Sequence, residues 1–397
     1  MITLILHATR LTMLRSLAFP PNRRPAWPWV ACLMIITSLI GPSPARAGDD
    51  LRVEMAEVAK QIKLLLDQRG QDAIAVGDFR GPAKLAASAG PAISKALADE
   101  LKAIDVAVRR RAELEVNGDY RDVEDKESQM LAVRITAHIV DRTGAEVVAF
   151  EPRGILNVTT IATLLGVTTI LPPAARDEDR NRKLTEDIDN PKVHLANTRI
   201  SAGPDSPYAI EILVKSGKDY HPRAASKDDD GFAFLKIQRD EIYAVKLIND
   251  SPHDAAVTLT IDGLSVFAFS ENSNYTHWIV RSKEALTIPG WHRTNQVSDA
   301  FKVTEYAQSA VAEKLPSSAS IGTITAAFAA AWPQGSPPPE DEAPGKKGGR
   351  SGDATGKGPP VETNFTDVVR DIGRLRASVS VRYTKDDEPK DLPNSNQ

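Results

Sequence analysis

Two short stretches carry the side chains best suited to gripping a ligand. They are Asn274-Tyr275-Thr276-His277-Trp278 and Gly290-Trp291-His292-Arg293. Aromatic rings flanked by Asn, His and Arg can stack on a sugar ring or hold a peptide. Tyr275, His277, Trp278, Trp291, His292 and Arg293 are therefore the candidate binding residues. Trp291 follows a Pro289-Gly290 turn, which would expose it. The competing role for Trp278 and Trp291 is to fill a core, where most tryptophans lie.

Catalytic patterns are scarce. The sequence holds no G-x-S-x-G elbow, no G-x-G-x-x-G and no G-x-x-x-x-G-K-[ST], so neither an exposed serine nucleophile nor a phosphate cradle is signalled. His138, His194, His221, His253, His277 and His292 never fall four apart, which removes the H-E-x-x-H zinc pattern. Asp228-Asp229-Asp230-Gly231 lacks the alternating ligands and closing glutamate of a calcium loop and reads as a solvated turn. Asp78, at the end of a strand, reads as a turn cap before Gly81. His138 reads as a solvated strand residue. Arg109-Arg110-Arg111 is followed by Glu113 and Glu115 and reads as a salt-laced strand entry. No catalytic residue, metal or cofactor is expected.

These side chains need a scaffold, and the composition supplies one. The chain has 397 residues, 42% hydrophobic and 26% charged, enough for two or three domains with ordinary cores. Residues 1–47 read as a secretory signal. Arg15, Arg23 and Arg24 precede an apolar run over 29–41, and Ala45-Arg46-Ala47 is an A-x-A cleavage site. Thirteen apolar residues span about 20 Å as a helix, short of the roughly 30 Å of a bilayer core. No transmembrane segment is expected after cleavage. The five arginines in that segment leave 44 basic against 53 acidic groups beyond it. An acidic surface argues against nucleic acid as a partner. Cys32, the single cysteine, departs with the signal, so disulfide and thiol chemistry depart too.

The fold class expected is α+β, a small N-terminal α/β module followed by an all-β, sandwich-like domain. In residues 48–172, Val58, Ile62, Leu65 and Leu66 share a helix face. The run 74–79 reads as a strand, and Leu85, Ala89, Ile93, Leu97 and Leu101 recur every four residues. Residues 131–140 alternate and turn through Asp141-Arg142-Thr143-Gly144 into 147–150, a hairpin. Residues 155–171 read as a helix and 173–207 as a charged linker. Over 208–332 the period changes to strands, with Asp262-Gly263 the sharpest hairpin signal. The Gly/Pro-rich stretch 333–360 reads as a disordered insertion. Residues 361–385 read as a returning edge or closing strand, and 386–397 as a frayed tail.

The order "IAVGDF", a small-residue helix, "VNGDY" and "LAVRITAHIVDRTGAEVV" over about 70–170 resembles a periplasmic α/β module. That module is shared by curli-secretion, flagellar-assembly and penicillin-binding-protein-activator lipoproteins and by the N-terminal part of TolB. The resemblance implies partner binding or oligomerisation rather than catalysis, although the lipidated cysteine of those lipoproteins is missing here. The β-domain looks like an unassigned bacterial envelope domain. The function expected is that of an exported, periplasmic or extracellular, non-catalytic protein that binds or helps assemble another envelope component. The partners expected are an envelope protein or wall glycan, with self-association open. The alternatives are a carbohydrate- or wall-binding protein using the Trp/His loops, and a hydrolase with an unrecognised site.

Overall fold

The computed structural model describes residues 49–82, 85, 89–272, 274–303, 321–342 and 359–384. The signal segment and the C-terminal tail of the sequence analysis lie outside them. The described chain is mostly strand, with four α-helices and several mixed sheets.

Helix α1 (Asp49–Arg69) buries Met55, Val58, Ile62 and Leu66 along one stripe and stops at Gly70, whose φ is +65°. Strand β1 (Ala73–Arg80) follows, then α2 (Gly90–Ala103) with Pro91 in its first turn. The four-residue apolar spacing thus begins before the helix does, because Leu85 precedes α2. Next come β2 (Ala107–Val108), β3 (Leu114–Glu124), β4 (Leu131–Asp141) and β5 (Glu146–Phe150), in sheet order β2-β1-β3-β4-β5. The first strand runs parallel to β2 and β3, whereas β3, β4 and β5 are antiparallel. Alternation sets the faces. Val116, Tyr120, Ile135 and Ile139 join α1 and α2 in one hydrophobic cluster, while Glu115, Asn117, Asp119 and His138 occupy the opposite face.

The helix expected over 155–171 is shorter. Helix α3 (Val158–Leu165) is capped by Asn157, whose Oδ1 accepts from the Thr159 and Thr160 amides at 2.9 and 3.1 Å. Gly166 ends it in the left-handed region at φ +61°. The chain then forms β6 (Thr169–Ile170). The stretch 173–207, expected as a linker, folds as α4 (Asp177–Asp189), β7 (His194–Ala196) and β8 (Arg199–Ser201). Asp177, Glu178 and Asp179 stand in the first turn of α4, where they oppose the positive end of the helix dipole. Leu184 and Ile188, four apart, are buried in the cluster that includes the first sheet.

The remaining strands are β9 (Tyr208–Ser216), β10 (Asp219–Arg223), β11 (Ser226–Lys227), β12 (Ala233–Leu235), β13 (Ile242–Asn249) and β14 (Asp254–Ile261). Then follow β15 (Leu264–Ser265), β16 (Trp278–Val280), β17 (Glu284–Ile288), β18 (Gly290–Thr294) and β19 (Val297–Lys302). The last are β20 (Ile321–Pro333), β21 (Pro360–Glu362) and β22 (Arg370–Thr384). One sheet has the order β18-β19-β13-β9-β8-β7, with β10, β17 and β21 paired off that path. A second has the order β11-β12-β22-β20-β14-β15, with β16 and β6 attached. A single cluster joins them, with Ile210, Ile212, Val245 and Leu247 from the first and Val257, Leu259, Phe328 and Val379 from the second. The Asp262-Gly263 turn joins β14 to β15 as expected, both residues having positive φ (52° and 76°). The strand expected after it ends at Ser265.

Strand β22 is not an edge. It lies between β20 on one side and β12 and β6 on the other, and α3 packs against it. The alternating Arg376, Ser378, Ser380 and Arg382, which read as a solvent face, are all buried. Ser380 Oγ lies 2.6 Å from Thr325 Oγ1. The two halves of the described chain therefore form one compact unit, with Phe232, Ala327 and Leu375 sharing the cluster of the α/β sheet.

Candidate functional site

The structure gathers Tyr275, Trp278 and His292 into one cluster but turns them inward. The Tyr275 and Trp278 rings lie 5.2 and 5.7 Å from His292, and Trp278 stacks on Phe267 at 4.6 Å. Phe365 closes the box against Trp278, also at 4.6 Å. The His292 ring, 1% exposed, is held between Ser270 Oγ (3.1 Å) and Asn295 Oδ1 (3.2 Å). Burial depresses its pKa, against which Asn295 and Asp367 act. Asn295 Nδ2 donates to Asp367 at 2.7 Å, and the Tyr275 hydroxyl donates to the same carboxylate. This network pins the segment around 365–367 over the end of the sheets.

Trp291 faces elsewhere. It meets Phe269 and Phe301 edge-on at 5.6 and 5.4 Å. His277 pairs with Thr276 Oγ1 at 2.7 Å, and desolvation pushes its pKa down to about 4. Arg293 bonds Asp299 at 3.1 Å. With Trp278 and Trp291 only 6% and 7% exposed, neither offers a ring face to a sugar. The expectation of exposed aromatic rings is corrected for Trp278, Trp291 and His292, which pack against other rings inside the fold, while Tyr275, His277 and Arg293 are half-buried.

A different region has the form of a site. A cavity of about 720 Å³ opens where β6, β9, the β13–β14 turn and β22 converge, within the size range of small-ligand pockets. Its walls are mostly apolar, with Tyr208, Trp332, Pro173, Pro207 and Pro339 among them. Its floor carries polar atoms with no partner in the protein: Tyr208 Oη, His253 Nε2 and Arg376 Nε. Tyr208 and Arg376 are 3% and 6% exposed. The Tyr208 hydroxyl lies beside Ser251 and Arg376, but burial dominates and raises its pKa. Burial, then the nearby Arg376 charge, lowers the His253 pKa.

Local sequence explains how the floor is held. In Asn249-Asp250-Ser251-Pro252-His253, Asn249 Oδ1 accepts from the Ser251 amide at 3.0 Å and its Nδ2 donates to the His253 carbonyl at 2.9 Å. Ser251 Oγ sits 2.9 Å from His253 Nδ1 and also donates to the His253 carbonyl at 2.9 Å. This is a serine–histidine contact, but the Ser251 amide is spent on Asn249 rather than aimed at a developing oxyanion. Arg376 is the charged centre. Its Nη1 and Nη2 bind Asp341 at 2.8 and 2.7 Å, and Nη2 reaches Glu342 at 3.0 Å. Burial alone would lower the Arg376 pKa, and the two carboxylates raise it instead.

Those carboxylates correct a second expectation. Residues 333–342, part of the stretch read as disordered, form an anchored strap across the cavity, while 343–358 lie outside the described residues. Glu342 also accepts from the Arg374 amide at 2.8 Å, and the Gly335 amide donates to Asp371 at 3.3 Å.

Of the other residues singled out from the sequence, Asp78 and His138 lie on the open face of the α/β sheet. A shallow cavity of about 440 Å³ there is lined by Asp78, Glu115, Asp119 and His138. Burial first, then Glu115, raises the Asp78 pKa against Arg80. His138 bridges Glu146 (2.7 Å) and Asp119 (3.4 Å), and these hydrogen bonds outweigh desolvation and raise its pKa. Arg109 pairs with Asp72 at 2.9 Å. Asp228 accepts from the Phe232 amide at 2.8 Å, closing its turn. No group of three His, Cys, Asp or Glu among the described residues is placed to hold a metal, and no described helix is long and apolar enough to cross a membrane.

Comparison with protein-family models, with curated proteins and with solved structures finds no match to this chain. The site is therefore read from its own geometry.

Proposed function

We propose that this protein is an exported, non-catalytic component of the bacterial cell envelope that captures another envelope component in the cavity beside β22. The overall architecture is read as a small α/β module docked on a β-sandwich. The observation that carries the binding reading is the apolar cavity floored by unpartnered polar atoms of Tyr208, His253 and Arg376. Buried polar atoms left without partners cost about 1–3 kcal/mol each, and a bound ligand that satisfies them recovers that energy. Export rests on the A-x-A cleavage pattern before Gly48. The non-catalytic reading is supported by the cavity's charged groups, in which Arg376 is engaged by the carboxylates of Asp341 and Glu342 rather than forming a nucleophile and base.

The test is crosslinked capture of the tagged mature protein from its own envelope, read by mass spectrometry and glycan analysis. The expected result is one reproducible envelope protein, its recovery reduced at least tenfold by Pro252→Trp. Pro252 is an exposed cavity residue, so the bulk fills the cavity without disturbing the core. Wall glycan enriched in its place, and lost with the same variant, would assign a glycan to the cavity. Capture unaffected by Pro252→Trp would overturn the site, and turnover in a broad hydrolase panel would overturn the non-catalytic reading.

A further inference from the structure

The strap that crosses the cavity has a sequence suited to being its ligand. Pro337-Pro338-Pro339 is followed by Glu340-Asp341-Glu342. The prolines line the same cavity as Tyr208 and Trp332, and consecutive prolines favour an extended helix without internal hydrogen bonds that docks on aromatic grooves. The attachment of the segment is uneven. Pro337 and Pro338 are exposed and Pro339 half-buried, whereas Glu342 is 8% exposed and reaches the buried Arg376 together with Asp341. The strap is thus held at its acidic end and at Gly335, with exposed prolines between the two anchors. Below it, Arg376 retains an unpartnered Nε, and Tyr208 and His253 retain theirs.

Accepting the cavity as the binding site, we infer that its ligand is an extended peptide of the strap's own chemistry, prolines followed by acidic residues, which displaces the strap and takes over Arg376. A buried arginine stripped of its carboxylates is strongly unfavourable, so the strap leaves only when other carboxylates arrive. A planar guanidinium selects carboxylates in pairs, and the aromatic and proline walls select the apolar stretch before them. The tethered strap competes at an effective concentration of order millimolar, so the native protein binds such a peptide weakly until the latch is broken.

The experiment uses fluorescein-labelled Ser-Pro-Pro-Pro-Glu-Asp-Glu, a copy of residues 336–342, and fluorescence anisotropy with the full mature protein. The latch-released double variant Asp341→Asn/Glu342→Gln is expected to bind it at least tenfold more tightly than the native chain. The same peptide carrying Gln-Asn-Gln should bind at least tenfold more weakly to that variant. If the double variant fails to fold, as judged by its melting curve, replacement of Pro337, Pro338 and Pro339 by glycine weakens the strap without touching Arg376 and should give the same gain. Equal binding to native and released chains, or equal binding of the neutral peptide, would overturn the inference. Envelope capture is repeated with the released variant to separate the two readings. A captured partner sensitive to Pro252→Trp, with no peptide binding, would refute the peptide class and keep the cavity. Loss of both would refute the cavity as well.

Discussion

Arg382, on β22, donates through Nη2 to the carbonyl oxygen of Leu85 at 2.6 Å, spanning 297 residues of sequence. The same nitrogen reaches the Gly166 carbonyl at 3.1 Å, and the guanidinium lies 4.5 Å over the Phe232 ring. Burial pushes its pKa down to about 10, so it remains a cation at neutral pH. One side chain therefore ties the β1–α2 connection, the end of α3 and the second large sheet together. Arg382→Met removes the donor and strands two buried carbonyls, which should destabilise the protein by about 3 kcal/mol. Urea unfolding of the variant should show a single transition at lower urea. An unchanged midpoint would mean that the halves are held by apolar contact alone.

Trp291→Ala bears on the packing role assigned above. The ring sits edge-on to Phe269 and Phe301, so truncation leaves a cavity and should cost about 3–5 kcal/mol. Thermal unfolding would register this as a large drop in melting temperature. A variant of native stability would return Trp291 to the surface and to ligand binding.

Acid sensitivity should come from the histidines of the β-rich half. The folded pKa of His277 is about 4, against about 6.5 for a free imidazole. Between those values the unfolded chain binds the extra proton, so stability rises with pH across the window and falls as pH drops from about 6.5 towards 4. His277→Gln should remove about 3 kcal/mol of that dependence, and the depressed His292 pKa acts in the same direction. His138 has the opposite sign: its raised pKa gives stability that is present at low pH and lost as pH rises through its folded value. Denaturation midpoints measured from pH 4 to 7 should rise in the native chain and rise less in His277→Gln.

Gly263→Ala tests the contact between the β14–β15 turn and α2. At φ +76° an alanine is strained, and its Cβ would lie 2.6 Å from Ala89 Cβ. A loss of about 2 kcal/mol is expected, more than strain of that kind alone gives in an open turn. Gly144→Ala supplies the control, since it has a similar φ of +83° and nothing within 4 Å. Equal losses in the two variants would show that the turn does not press on the helix.

Much of the strand pattern was legible because one-sided burial writes alternation into the chain. The β4–β5 hairpin and the Asp262-Gly263 turn were read directly from it. Helix α4 was hidden by charge: among its thirteen residues, Leu184 and Ile188 carry its buried apolar contacts, although the acidic first turn was a signal available to be used. The polar side of β22 misled for a different reason. Arg376, Ser378, Ser380 and Arg382 look like solvent-facing residues until a second layer covers them, and only tertiary contacts reveal their partners. The cavity was illegible because its lining comes from stretches near 171, 207, 252, 338 and 376, which no local pattern connects. The six aromatic and polar residues chosen from the sequence had the right chemistry for binding, but also the right chemistry for ring packing inside a β-fold.

The pairing of β6 with β22 joins Thr169 and Ile170 to Ser378 and Ala377. The ribosome makes β22 after every other described strand, yet β22 is the centre of its sheet and the floor beneath α3. The earlier half of the chain must therefore emerge from the ribosome before the strand that completes it exists. Such long-range pairing delays folding. A chain interrupted before residue 370 should remain open to proteases, and the intact chain should stay pliable until its last strand is made.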